Sequence, residues 1–166
     1  MAESTQGASN NERLLAAARA DDEDMLLEVF EQGDFDINFQ DGLGNTALHY
    51  AASHGSLTAL EHILSQDNCD VDPINRIEKA TPLHLAVKLA DPEVRKQVVE
   101  SLLDAGAETT IKDKYGETPM DIVSPSDTEI LTLMRKARAD ASVAQDDIAS
   151  DDEGEPGSGS GSEDED

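Results

Sequence analysis

The chain has 166 residues, 37% of them hydrophobic, and carries 37 acidic against 12 basic residues for a net charge of -25. The length allows one domain of ordinary size. The charge argues against direct binding to nucleic acid, which needs lysine and arginine to release counterions from phosphates, and against anionic membrane surfaces. The single cysteine, Cys69, excludes an internal disulfide and suits the reducing cytoplasm or nucleus.

Met1 to Asn11 is polar, with neither a basic start nor an apolar run, so it reads as neither signal peptide nor membrane anchor. Residues 1–9 are expected to be disordered, and no stretch approaches the ~18 apolar residues of a membrane span. From Asn10 the apolar spacing turns helical. Leu14, Leu15, Ala17 and Ala18 mark one short helix, and Met25, Leu26, Val29 and Phe30 mark another, with Asp21 to Asp24 as the turn.

A turn-like stretch, Asp41-Gly42-Leu43-Gly44-Asn45, then precedes the word Thr46-Ala47-Leu48-His49, and Leu57, Leu60, Ile63 and Leu64 continue as a second helix. The word T-x-L-H returns at Thr81-Pro82-Leu83-His84, and a worn copy, Thr118-Pro119-Met120-Asp121, follows Asp113-Lys114-Tyr115-Gly116-Glu117. The spacings are 35 and 37 residues, and both full copies run on into an alanine, Ala51 and Ala86. This resembles the ankyrin repeat, with its period of about 33 residues and its T-P-L-H-x-A signature. The segments Gly33-Asp34-Phe35-Asp36-Ile37-Asn38 and Ala105-Gly106-Ala107-Glu108-Thr109-Thr110 are similar to that family's G-A-D-V-N loop.

The resemblance implies an all-α solenoid of about four helix-turn-helix repeats with hairpin-like loops, at about 10–40, 41–74, 75–112 and 113–139. The first and last are atypical, as capping repeats are. In the third repeat, Asp91-Pro92-Glu93 supplies an N-cap, a proline at the first helical position and an acid in the first turn. Counted from the repeated threonine, this repeat holds four extra residues, which predicts an elongated or displaced second helix. In the fourth, Ser126 with Glu129 reads as a capping box. Arg135, Lys136 and Arg138 then read as complementing a helix C-terminus, with a basic nucleic-acid patch as the less favoured alternative.

No catalytic constellation emerges, and neither an enzyme nor a cofactor is expected. His49 and His84 stand where the resemblance implies a hydrogen bond between neighbouring repeats, with Thr46, Thr81 and Thr118 as the accompanying scaffold. His54, His62 and Cys69 lack metal-ligand spacing. Gly42 and Gly44 lack the rest of a phosphate-binding motif. What remains is recognition of a protein by a chain expected to be monomeric. In the family the loop tips and first helices form the binding side. That register selects Gly42, Leu43, Asn45, Ser53 and His54; then Ile77, Glu78, Ala80, Lys88 and Leu89; then Lys114, Tyr115 and Glu117. Leu43, Ile77, Leu89 and Tyr115 would form an apolar stripe suited to a partner, the alternative being that Ile77 and Leu89 pack locally around the irregular third repeat.

From Asp140 onward there are 11 acidic residues and no lysine or arginine, leaving the rest with 26 acids against 12 bases. Residues 140–166 hold almost nothing apolar to offset an ordering cost of ~1–2 kcal/mol per residue, so a disordered tail is expected. Acidity serves either solubility or the capture of a basic protein. The leading reading is an escort or chaperone of a basic client, a design similar in architecture to the fungal ankyrin escort of a ribosomal protein. The other is an adaptor or regulatory subunit docking on a larger assembly. Ser150, Ser160 and Ser162 each precede an acid by three positions and resemble substrates of acidophilic kinases of the casein kinase 2 type, whose phosphates would add charge to the tail.

Overall fold

The computed structural model describes residues 9–153, with side chains through Ser142. Eight helices follow in order: α1 (Asn10–Ala20), α2 (Glu23–Gln32), α3 (Ala47–His54), α4 (Leu57–Leu64), α5 (Pro82–Ala86), α6 (Pro92–Asp104), α7 (Pro119–Ile122) and α8 (Thr128–Glu153). They pair into four helix-turn-helix repeats. The first helices α1, α3, α5 and α7 stack as one layer, and the second helices α2, α4, α6 and α8 as another. The all-α repeat solenoid expected from the sequence is what the chain forms.

Composition explains the stacking. Ala17, Ala18, Ala47, Ala51, Ala52 and Ala86 are wholly buried in the first layer, where small side chains let successive helices approach closely. Between the layers lie Leu14, Leu26, Val29, Leu48, Leu60, Ile63, Leu83, Val99, Leu102, Ile130 and Met134, each at most 1% exposed. Each such side chain contributes about 1.5–3 kcal/mol on burial.

Caps set the helix starts. Ser9, Thr46, Thr81 and Thr118 each accept from the backbone N–H three residues on, and the residue there reaches back: Glu12, His49, His84 and Asp121. Asp91 caps α6, accepting from Glu93 and Val94 N–H. Between α3 and α4 the chain turns on Gly55 at φ +67°, where a Cβ would come within 2.7 Å of Val94 Cγ1 of the next repeat.

The extra residues of the third repeat go into α6, 13 residues long against 8 in α4, while α5 shortens to 5. Arg95 on the lengthened helix donates to Leu89 O at 2.6 Å and to Asp127 Oδ2 at 3.0 Å. That pair joins the third repeat to the fourth.

The fourth repeat departs from expectation at both ends of its second helix. The Ser126–Glu129 capping box does not form. Ser126 N–H donates to Ser124 Oγ, Glu129 pairs instead with Lys96 at 3.3 Å, and the helix starts at Thr128 with Asp127 accepting from Ile130 N–H. Ser124 and Asp127 offer closer acceptors on either side of Ser126. α8 itself runs on to Glu153. Arg135, Lys136 and Arg138 therefore lie mid-helix and do not complement a C-terminus. Their neighbours Ala137, Ala139, Ala141 and Ala144 favour continuation.

Candidate protein-binding face

Three loop tips precede α3, α5 and α7, and all are built on one rule. Asp41 carboxylate Oδ1 accepts from Leu43 and Asn45 N–H, at 2.9 and 3.0 Å. Asp113 Oδ1 does the same for Tyr115 and Glu117 N–H, at 2.9 and 3.0 Å. Asn75 Oδ1 accepts from Glu78 and Ala80 N–H, at 3.2 and 3.1 Å. The backbone closes each tip as well, through Asp41 N–H to Asn45 O, Asn75 N–H to Ala80 O and Asp113 N–H to Glu117 O. Asp41 and Asp113 were read in the sequence only as the starts of turn-like stretches, and Asn75 was missed. Aligning the chain on the residue five or six before each threonine would have found them.

The second tip is one residue longer than its neighbours, and Lys79 takes the left-handed turn at φ +56° where the other two use Gly44 and Gly116. Gly44 is confined further, since a Cβ there would lie 2.6 Å from Arg76 N. Adjacent tips are that close because they hydrogen-bond to each other. Arg76 N–H donates to Leu43 O and Lys114 N–H to Glu78 O, both at 2.9 Å. Asn75 Nδ2 donates to Asn45 Oδ1 at 3.0 Å, which places Asn45 between tips.

Histidines lock the tips to the helix layer. His49 Nε2 donates to Ala80 O and His84 Nε2 to Glu117 O, each at 2.9 Å, and each Nδ1 accepts from its own threonine N–H, at 3.0 and 3.1 Å. Carbonyls only accept, so Nε2 carries the proton and Nδ1 is left as acceptor. Burial lowers the His49 pKa, partly offset by the bond to Ala80. In the worn copy, Asp121 Oδ2 accepts from Thr118 N–H at 3.0 Å. That bond and the Thr118 hydroxyl hold its carboxyl below the usual range.

On this frame three apolar side chains stand exposed at the same tip position, two residues after the capping Asp or Asn: Leu43 (48%), Ile77 (51%) and Tyr115 (66%). Leu89 does not join them. It is half-buried against the core beside Gly55, because the short α5 turns it back toward the lengthened α6. Ala80 is also removed from the face: it closes its tip at the position of Asn45 and Glu117 but is only 1% exposed. Charged neighbours line the row. Lys88 lies 3.9 Å from Glu78, and Lys114 Nζ sits 5.1 Å from the Tyr115 ring centre. His54 is exposed at the end of α3, its Nδ1 3.1 Å from Tyr50 O. Ser150 falls on the α8 backbone; Ser160 and Ser162 lie outside the described residues.

Other chemistry finds little footing. Among the described residues no group of three potential ligands could hold a metal, and no helix is long and apolar enough to cross a membrane. Burial pushes the Cys69 thiol up to about 11, which keeps it protonated. A rigid strip of loop tips on a two-layer helical stack defines a repeat scaffold that recognises other proteins with its surface.

Comparison with known proteins gives the family. Residues 14–113 match the model of ankyrin repeats in three copies. An ankyrin repeat-containing protein of Saccharomyces cerevisiae is 35% identical over 145 residues, 80% of each chain. The chain belongs to the ankyrin repeat family and is a protein–protein interaction module. An E3 ubiquitin-protein ligase of Drosophila melanogaster is 32% identical over 109 residues, which are 66% of this chain and 4% of the ligase. A putative ankyrin repeat protein of Escherichia coli is 31% identical over 98 residues, 58% of this chain and 48% of that one. Ankyrin repeats are generally not enzymes, and the likeness to the ligase is confined to a small part of it.

Proposed function

We propose that this module binds a partner protein along the Leu43–Ile77–Tyr115 row while its acidic surface holds basic segments of the same partner, as an escort of a basic client would. The observation that carries the reading is the row itself. Three large apolar side chains are each about half exposed or more at equivalent positions of tips fixed to one another by backbone bonds. Apolar anchors held rigidly in a polar surround are how interface hot spots are built, and a pre-formed strip limits the ordering cost of binding. The net charge of -25 supplies the second element. A cytoplasmic or nuclear site of action accords with the lone cysteine.

A second reading has its own support. Arg76, Lys79 and Lys114 lie on the same tips as the row, so the row is not complementary to a uniformly basic surface. In that reading the row docks on an enzyme or larger assembly and the acidic region contributes solubility or regulation.

Capture from native extract, with identification of the bound protein, separates the two. The chain is used intact, with Leu43, Ile77 and Tyr115 replaced by serine, and with Asp146, Asp147, Asp151 and Asp152 replaced by asparagine in a version ending at Glu153. Ending the chain at Ala139 would cut α8 where its Lys136–Ser142 stretch lines a groove with Gly106–Thr110. The escort reading expects a basic protein that is lost from both altered chains, with binding that weakens steeply as salt rises. Recovery of a non-basic partner by the acid-depleted chain, with little dependence on salt, would replace it with the adaptor reading.

A further inference from the structure

We propose that Ser126, in the turn between α7 and α8, is a phosphorylation site for an acidophilic serine kinase that reads Glu129 three positions on. Within residues 9–142 a serine with an acid at the third following position occurs at Ser9, Ser101, Ser124 and Ser126. The structure sorts the four. Ser9 and Glu12 are bound to each other's backbone in the capping box of α1. Ser101 lies within α6. The acid that would serve Ser124 is Asp127, whose side chain is only 17% exposed, held by Arg95 at 3.0 Å and accepting from Ile130 N–H. Ser126 alone combines an exposed position outside any helix with an acid that projects into solvent: the Glu129 side chain is 70% exposed, meeting Lys96 at 3.3 Å.

This arrangement follows from the capping box that does not form. Asp127 takes the start of α8 in place of Ser126, so the Ser126 hydroxyl shares a hydrogen bond only with that of Ser124, at 2.9 Å. Both groups stand at the surface, and a kinase can draw them out together by fraying the first turn of α8, since helix ends fray. In the transfer, Ser126 Oγ attacks the γ-phosphorus of ATP. The new Oγ–P bond forms as the bond to the β–γ bridging oxygen breaks, ADP leaves, and the hydroxyl proton passes to the kinase's base.

The product adds a charge of about -1.5 to -2 beside the start of α8. The acids nearest in sequence, Asp127 and Glu129, are already paired with Arg95 and Lys96 of α6. Their repulsion is therefore largely offset, and the positive end of the 26-residue helix decides the sign. Phosphate at Ser126 tightens the junction of the third and fourth repeats.

The test treats the intact full chain with a kinase of the casein kinase 2 type and ATP, locating phosphate by peptide mapping over time. Ser126 should be modified. Glu129→Gln should slow that site about tenfold or more, the loss of one charge-assisted contact with the kinase. Lys96→Gln, which frees Glu129 from a weak surface pair, should speed it roughly twofold. Ser126→Ala, treated alongside, accounts for phosphate on other serines, and the modified wild type should show the higher urea midpoint of the two. Modification of a peptide of residues 121–132 but not of Ser126 in the folded chain would overturn the proposal, as would modification indifferent to Glu129→Gln. A lower midpoint for the modified wild type would overturn the tightening of the junction.

Discussion

Replacing His49 by leucine removes one residue that serves two repeats. In the wild type, Nδ1 accepts from Thr46 N–H at 3.0 Å and Nε2 donates to Ala80 O at 2.9 Å, with Thr46 2% and Ala80 1% exposed. Leucine leaves Thr46 N–H buried with no acceptor, which costs about 1–3 kcal/mol. Ala80 O keeps its bond from Asn75 N–H, so there only a net hydrogen bond is lost, about 0.5–1.5 kcal/mol. The sum, roughly 2–4 kcal/mol, should lower the urea midpoint by about 1–2 M for an m-value of about 2 kcal/mol/M, read by circular dichroism. His54→Leu, on an exposed side chain, should stay within about 0.5 kcal/mol. The pH dependence is a second readout. Because burial holds the His49 pKa below its ordinary 6.5, the unfolded chain takes up the proton first as pH falls. Stability from this group is therefore full above about 6.5 and declines below it. The leucine variant lacks that slope, so its deficit should shrink from pH 7 to pH 5. A loss below about 0.5 kcal/mol at pH 7, or a deficit unchanged by pH, would refute the assignment of both bonds.

Two further substitutions probe contacts between repeats. Asp72 accepts from Glu108 N–H with both oxygens, at 3.1 and 3.2 Å, yet burial and the nearby Asp70 and Glu108 carboxylates push its pKa up. Asp72→Asn keeps an acceptor and removes the repulsion, and should stabilise the fold at pH 7 by about 0.5–1 kcal/mol, with the gain vanishing toward acid, where the carboxyl is protonated anyway. Gly55→Ala should destabilise by about 1–2 kcal/mol from the left-handed conformation alone and by more from contact with Val94; Val94→Ala in the same chain should return the steric part only, which a double-mutant cycle in urea would show.

The repeat word was legible because it performs two jobs that admit few residue types. Threonine must accept from the N–H three residues on, and histidine must accept at one nitrogen and donate at the other. The helix-turn-helix pairs followed from apolar spacing around them. The exposed apolar row was only partly legible. Leu43 and Tyr115 stand three residues before their threonines, but the second tip has an extra residue, so counting back from Thr81 aligns Glu78 with them and not Ile77. Leu89 was misplaced because the shortening of α5 to 5 residues follows from the competing cap at Asp91-Pro92, which a repeat template does not contain.

The ends of the stack show which contacts the word exists to make. At neutral pH a carboxylate has no proton to give a carbonyl, so Glu12 and Asp121 can cap their own helices but cannot hold the tip of a following repeat. For Asp121 nothing is lost, since no further tip follows among the described residues. For Glu12 the first tip must be fixed otherwise, and it is. Asp41 accepts from the Tyr50 hydroxyl, and Arg19 lies over the Tyr50 ring at 4.9 Å. Burial raises the Asp41 carboxyl, but the hydrogen bonds from Tyr50, Asn45 and Leu43, with Arg19 nearby, together hold it below its ordinary 3.8. Its contribution is thus present above that value and lost as pH falls through the lowered one. The tip carrying Leu43 is anchored by a carboxylate, and the tips carrying Ile77 and Tyr115 by histidines. Mild acid between about pH 6.5 and 4 should therefore loosen the tip that carries Ile77, where His49 resists protonation, before the one that carries Leu43, so the row would come apart from its middle while its first member stays seated.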